Sequence, residues 1–290
     1  MKCHIKNNQK AGLPRLSSDE FRNHHAIPKW KVASPPLNYR VAFTLAEVLI
    51  TLGIIGVVAA LTLPSLISNH QEKVKITKLK KAYSVLSNAY IMTQSKYGDV
   101  DNWTDVDLNT FTDTRPLSQQ LSSDIGNKFL EVIKYDKLCD TLDNNSKCWK
   151  RTNPLSFLNG AGHGGGTNFT FISGGIIYGI DSHVDIRGNN KIKRKFYAQI
   201  HVDVDMNRQP SVLGKNVFTF LLTDKGIMPS GAGIYSDFNS YAPFPFDTYC
   251  LNGGTFKQGM GCTAWVLQNE NFEYLKKCPN LSYYGDTKCN

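Results

Sequence analysis

The chain has 290 residues with 33 Lys+Arg, 24 Asp+Glu and 41% hydrophobic residues, enough apolar content to build a core and to exclude wholesale disorder. Eight of the Lys/Arg but only two of the acids fall in residues 1–42, so a net +6 of the formal +9 belongs to the front of the chain. Such a front reads as the cytoplasmic flank of a membrane segment, where Lys and Arg are retained, ahead of a nucleic-acid surface; from Val41 to Asn69 the single charge is Glu47, and no second stretch like it exists, which excludes a multi-span transporter.

Residues 1–40 are polar, lack a sustained period and carry Ser34-Pro35-Pro36, which breaks any helix. They read as a disordered leader, outside the fold. The run from Phe43 to Pro64 is long enough to span a bilayer as a helix, for which about 20 apolar residues suffice. A secretory signal has an apolar run of only ~7–15 residues and a small-x-small exit. This run is longer, and Leu61-Thr62-Leu63-Pro64 is a poor exit. Hydropathy alone makes it an ordinary single-span anchor.

Glu47 argues for something more specific. A carboxylate inside a bilayer costs several kcal/mol (roughly 3) unless paired or neutralised. It stands four residues after Phe43, at the mouth of the span. If the chain is cut between Ala42 and Phe43, Phe43 carries a new α-amino group at membrane depth. Glu47 of one copy then pairs with that amine of the next copy, and the pairing sets the axial stagger of packed helices. An uncut anchor offers Glu47 no such amine.

Ala42-Phe43-Thr44-Leu45-Ala46-Glu47-Val48, behind a basic leader and ahead of an apolar run, resembles the prepilin cleavage and methylation motif. That motif is shared by type IV pilins and the pseudopilins of type II secretion. The resemblance implies that a membrane aspartyl prepilin peptidase removes residues 1–42 and N-methylates Phe43. It also implies that Glu47 serves assembly and that Pro64, where the family often has a helix-loosening Pro, kinks the helix. Gly53 and Gly56 fall where the family commonly has small residues. Ala42 stands where the family more often has Gly, and the leader is longer than most. The similarity is strong over roughly residues 40–97.

Beyond Pro64 the helical period continues through Val74, Leu79, Ala82, Tyr83, Leu86, Ala89, Tyr90 and Thr93, with lysines between. The expected stem helix is therefore 43–97, membrane-spanning over 43–67 and amphipathic behind, on the order of 80 Å long. Its apolar stripe needs a cover, and a sheet from the C-terminal region is the candidate. The lysine cluster reads first as a solvated helix face, with lipid headgroups or a neighbouring subunit as the alternatives.

Residues 98–290 form the expected extracytoplasmic head. Residues 98–116 are Asp/Asn/Thr-rich loop, and Pro116 to Tyr135 is helical, with Leu117, Leu121, Ile125, Phe129, Val132 and Ile133 in period. The glycine-rich run from Gly160 lacks the Lys-Ser/Thr of a phosphate-binding loop. Strands are expected at Asn168–Ile172, Gly175–Ile180, Phe196–Val204 and Val217–Thr223, the last turning through Asp224-Lys225-Gly226 towards Ile227-Met228. Thr263–Lys277 reads as a short helix packed by Trp265. The fold class is α+β: a long stem helix on an antiparallel sheet, pilin-like where the resemblance is followed.

Cys3 lies in the leader; Cys139, Cys148, Cys250, Cys262, Cys278 and Cys289 lie outside the membrane, in a head expected to face an oxidising compartment. Nearest-neighbour pairing gives Cys139–Cys148, Cys250–Cys262 and Cys278–Cys289, and the last two pairs could exchange partners. With no C-x-x-C and no nearby His pair, zinc on these thiols is not expected. Asp203-x-Asp205-x-Asn207 resembles the first half of a calcium loop, but Arg208 stands where Gly is needed and no bidentate Glu follows. Calcium there competes with a strand end and turn whose Asp and Asn cap backbone groups. No other cofactor is required.

No catalytic signature is present, and His163, His183 and His201 are too scattered to nominate a base, so an enzyme is not expected. Tyr235, Tyr241, Phe244, Phe246 and Tyr249 form an aromatic loop, either a binding face or a buried lid on the core. The expected function is a structural subunit, cut before Phe43 and assembled by helix packing into a pilus or pseudopilus. Its partners are prepilin peptidase, other pilin or pseudopilin subunits, an inner-membrane assembly platform and the lipid bilayer. Its 248-residue mature length (290 less the 42 of the leader) fits a minor pilin or pseudopilin. The location is the inner (cytoplasmic) membrane, then the filament. The alternative is a single-span anchored binding or adhesion protein that never polymerises.

Overall fold

The computed structural model describes residues 43–105, 114–139, 155–163, 168–182, 196–206, 210–232, 244–251, 257–276, 278 and 280–289. The chain falls into two units, residues 1–55 and 56–290. The described part of the first is the opening of helix α1, which as a whole runs Leu45–Tyr97. The helix runs on through Pro64. Among the described residues it is the one helix long and apolar enough to cross a membrane.

The second unit holds the rest of α1 and a six-stranded antiparallel sheet in simple chain order, β1 (Lys137–Cys139), β2 (Phe169–Ser173), β3 (Ile176–Asp181), β4 (Phe196–Asp203), β5 (Val217–Thr223) and β6 (Gly226–Pro229). Helix α2 (Thr114–Leu130) and the short α3 (Thr263–Asn269) accompany it. The expected strands are thus present within a residue or two. β1 was not foreseen. It is three residues long and carries no period of its own; its pairing with β2 in the register Leu138↔Phe171 makes it a strand.

The rear of α1 buries Ile76, Leu79, Ala82, Leu86, Ala89, Tyr90 and Thr93, a stripe at three- and four-residue steps. It shares one core with the alternate residues Phe171, Tyr178, Ile200, Val202, Phe218, Phe220 and Leu222 of the sheet. Tyr83 stacks on Phe220 with ring centroids 5.7 Å apart. The Tyr90 hydroxyl donates to the Asp224 carbonyl at 3.0 Å in the β5–β6 turn. The expected sheet cover is therefore present. On α2, Leu121, Ile125 and Phe129 enter the same core. Gly126 lets that helix sit close: a Cβ there would lie 2.1 Å from the Phe169 ring.

Every residue of β3 and β5 is buried, so both sheet faces are covered. On the second face Val217 and Leu221 join Leu155, Phe157, Leu213, Phe244 and Met260. The aromatic loop is thus a lid where it is described: Phe244 and Phe246 are buried, and Phe246 stacks on Trp265 at 4.3 Å. Tyr235 and Tyr241 lie outside the described residues. The helix expected over Thr263–Lys277 is divided. Glu270 takes a left-handed conformation (φ 53°) that ends α3, and a 3-10 turn follows at Glu273–Lys276. The Asn271 side chain organises the break, accepting from the Trp265 indole at 2.8 Å and from the Glu273 amide at 3.1 Å.

Candidate functional site

Ala42, on one side of the expected cut, lies with the whole leader outside the described residues. Phe43, on the other side, is 79% exposed. The following residues make a reciprocal cap. The Thr44 amide and hydroxyl each donate to Glu47 Oε2 at 2.8 Å, and the Glu47 amide donates to Thr44 Oγ1 at 3.2 Å. This is the capping box, in which a Thr and a Glu three residues later satisfy otherwise unpaired amides at a helix start. Glu47 therefore has partners within its own chain. Its Thr-x-x-Glu signature stands in the sequence, ahead of an apolar run. The sequence reading weighed Glu47 only as a membrane charge and missed it. After it, the large apolar residues from Leu45 to Ile67 are exposed.

In the head, Cys250–Cys262 and Cys278–Cys289 are disulfides, so nearest neighbours pair and the exchanged alternative is excluded. Cys139 is disulfide-bonded as well, while Cys148, the partner expected for it, lies outside the described residues, as does Cys3. The two disulfides tie the C-terminal segment into the core, where Cys250 and Cys262 are buried.

Of the three residues of the calcium expectation, Asn207 lies outside the described residues. Asp203 Oδ1 accepts from the Asp205 amide at 2.8 Å, an Asx turn that ends β4. The Asp205 carboxylate pairs with Lys75 at 3.0 Å. Among the described residues no group of three or more His, Cys, Asp or Glu is placed to hold a metal.

The second sheet face carries polar groups that sequence periodicity did not single out: Asp181, Gln199, His201, Asp203 and Thr219 are all buried. His201 Nδ1 lies 3.2 Å from Thr219 Oγ1, and the His163 ring is 5.6 Å from the His201 ring. The fold thus brings together two of the three scattered histidines; His183 lies outside the described residues. Asp181 accepts from Asn168 Nδ2 at 2.8 Å. Burial pushes its carboxyl up to about 6, with His163 acting in the opposite sense. Strand alternation places these side chains on one face, and the apolar lid over Val217 and Leu221 helps remove that face from water.

No curated protein and no solved structure is significantly similar to the chain. One family profile matches residues 65–280, beginning just after Pro64 and taking in the rear of α1, the sheet and the Cys250–Cys262 disulfide. That match spans most of the chain, which therefore belongs to the family described as "Family of unknown function (DUF6613)".

Proposed function

We propose that the chain is a prepilin-type structural subunit: a single-span precursor, cut before Phe43 by prepilin peptidase, N-methylated there and assembled by helix packing into a type IV pilus or type II secretion pseudopilus. The observation that carries the reading is Glu47 in the first turn of a helix whose next twenty residues are uncharged and predominantly apolar, with their large apolar side chains exposed. A carboxylate there is costly to a lone anchor and useful to a polymer of such helices. The rear of the same helix, packed on an antiparallel sheet beside a disulfide-tied C-terminal segment, is compatible with a stem-and-head subunit and supports the reading. The chain itself catalyses no reaction. It resides in the inner membrane with the head outside the cytoplasm until the assembly platform extracts it.

A second reading is favoured by the capping box, because Thr44 gives Glu47 partners without any neighbouring copy. On that reading the chain is a non-polymerising anchored binding or adhesion protein. Mass measurement of the N-terminal peptide from membranes separates the two. An N-methylated Phe43 terminus is the expected result; a chain retaining its basic residues ahead of Phe43 overturns the processing claim and leaves the anchored domain.

A further inference from the structure

Behind the apolar run, side chains of α1 line a cleft together with residues of the loop that follows β4. Its volume is about 310 Å³, and it is lined by His70, Gln71, Lys75 and Lys78 of α1 together with Asp205 and Lys215 from the sheet side. That is the lower end of the range for small-ligand pockets, roughly 300–1,000 Å³. Three lysines face one carboxylate. Asp205 is tied to Lys75 at 3.0 Å, and the Lys78 ammonium donates to the Val204 carbonyl at 2.8 Å. The Lys215 ammonium and the His70 imidazole make no hydrogen bond or ion pair among the described residues. Glu72 lines the adjoining hollow, which shares Gln71, Lys75 and Lys215, and with it counted the cleft still keeps a net positive charge, with donors left over.

Its position along the helix selects the ligand. Ile67 is the last exposed apolar residue of the run, and His70 and Gln71 follow it by ~5 Å of helix rise. The polar headgroup layer is roughly 5–7 Å deep on each side of the hydrocarbon core. Lys75 and Lys78 stand a further turn or two along. Helical side chains lean towards the N-terminus, here towards the membrane, and long lysine stems reach back to the interface. We propose that this cleft binds the phosphodiester headgroup of an anionic phospholipid, seating the head on the membrane surface. The inference rests on α1 spanning the bilayer but not on cleavage at Phe43.

The test uses the full chain in non-ionic detergent, with lipid retention read by native mass spectrometry. Phosphatidylglycerol should be held at least tenfold more tightly than phosphatidylcholine. K215Q and K75Q should each weaken it about fivefold, the effect of one cation near an anionic headgroup. K225Q, in the β5–β6 turn away from the cleft, should change nothing. Equal retention of the two lipids, or an equal loss in K225Q, overturns the proposal. Displacement by inorganic phosphate as readily as by lipid overturns the lipid source in favour of a soluble anion. Alkaline carbonate extraction of the wild-type chain reads the span separately. Release from membranes defeats the membrane reading and this proposal with it, whereas retention without lipid preference defeats the cleft alone.

Discussion

Replacement of Glu47 by Gln separates the cap that the structure shows at that side chain from the assembly role proposed for it. In the folded chain its carboxylate accepts two hydrogen bonds of 2.8 Å from Thr44. Gln also serves at this position of a capping box, so its amide oxygen keeps the cap and loses the charge. Losing such a cap altogether costs about 1 kcal/mol. Leaving an α-amine unpaired among packed apolar helices costs about 3–5 kcal/mol, which weakens each subunit contact more than about a hundredfold. E47Q and E47A should therefore both fail to enter filaments, while both still insert in the membrane. T44V loses the hydroxyl but keeps the Thr44 amide bond, and should reduce incorporation less than about tenfold. The assay is the sheared filament fraction measured by immunoblot, against the membrane-fraction signal. Wild-type incorporation of E47Q beside failure of E47A would refute the charge-pairing argument, because the cap would then explain everything.

Two further outcomes follow from the head. Leu86 is fully buried between α1 and the sheet, so L86A should lower unfolding free energy by about 2–5 kcal/mol, while I91A on the exposed side of the same helix stays within about 0.5 kcal/mol; urea midpoints of the full chain in non-ionic detergent decide this. Asp181 holds its proton in the folded state up to about pH 6, against an ordinary value of 3.8. Between these values the native chain binds a proton that the unfolded chain has released. The contribution is therefore fully present below about pH 4 and is lost as pH rises through about 6, with a span on the order of 3 kcal/mol. The stability of the wild type relative to D181N should fall by that order between pH 4 and 7, and a flat difference would contradict the burial of this carboxyl.

Much of the architecture was legible because it is written in local periods. The stripe from Leu79 to Thr93 has helical spacing, and Val217–Thr223 is a β-branched and aromatic run closed by Asp224-Lys225-Gly226. For the last four cysteines the sequence left nearest-neighbour pairing and its exchange both open; the structure decides for nearest neighbours, whose short loops close most easily. The Thr44–Glu47 cap was equally readable and was missed because Glu47 was weighed only as a charge in lipid.

By itself, then, the order of residues determined a long helix with an apolar front and a striped rear, an antiparallel α+β head and a lone acid at the start of the span. Tertiary structure alone decided the rest. β1 exists only through β2; the polar residues Asp181, His201 and Thr219 are buried only because segments distant in sequence cover their face; and the cleft of His70, Lys75 and Lys215 forms only where the α1 stem meets the loop after β4. The physical reason is that alternation and helical period fix which way a side chain points, whereas what it meets there depends on contacts between segments far apart along the chain.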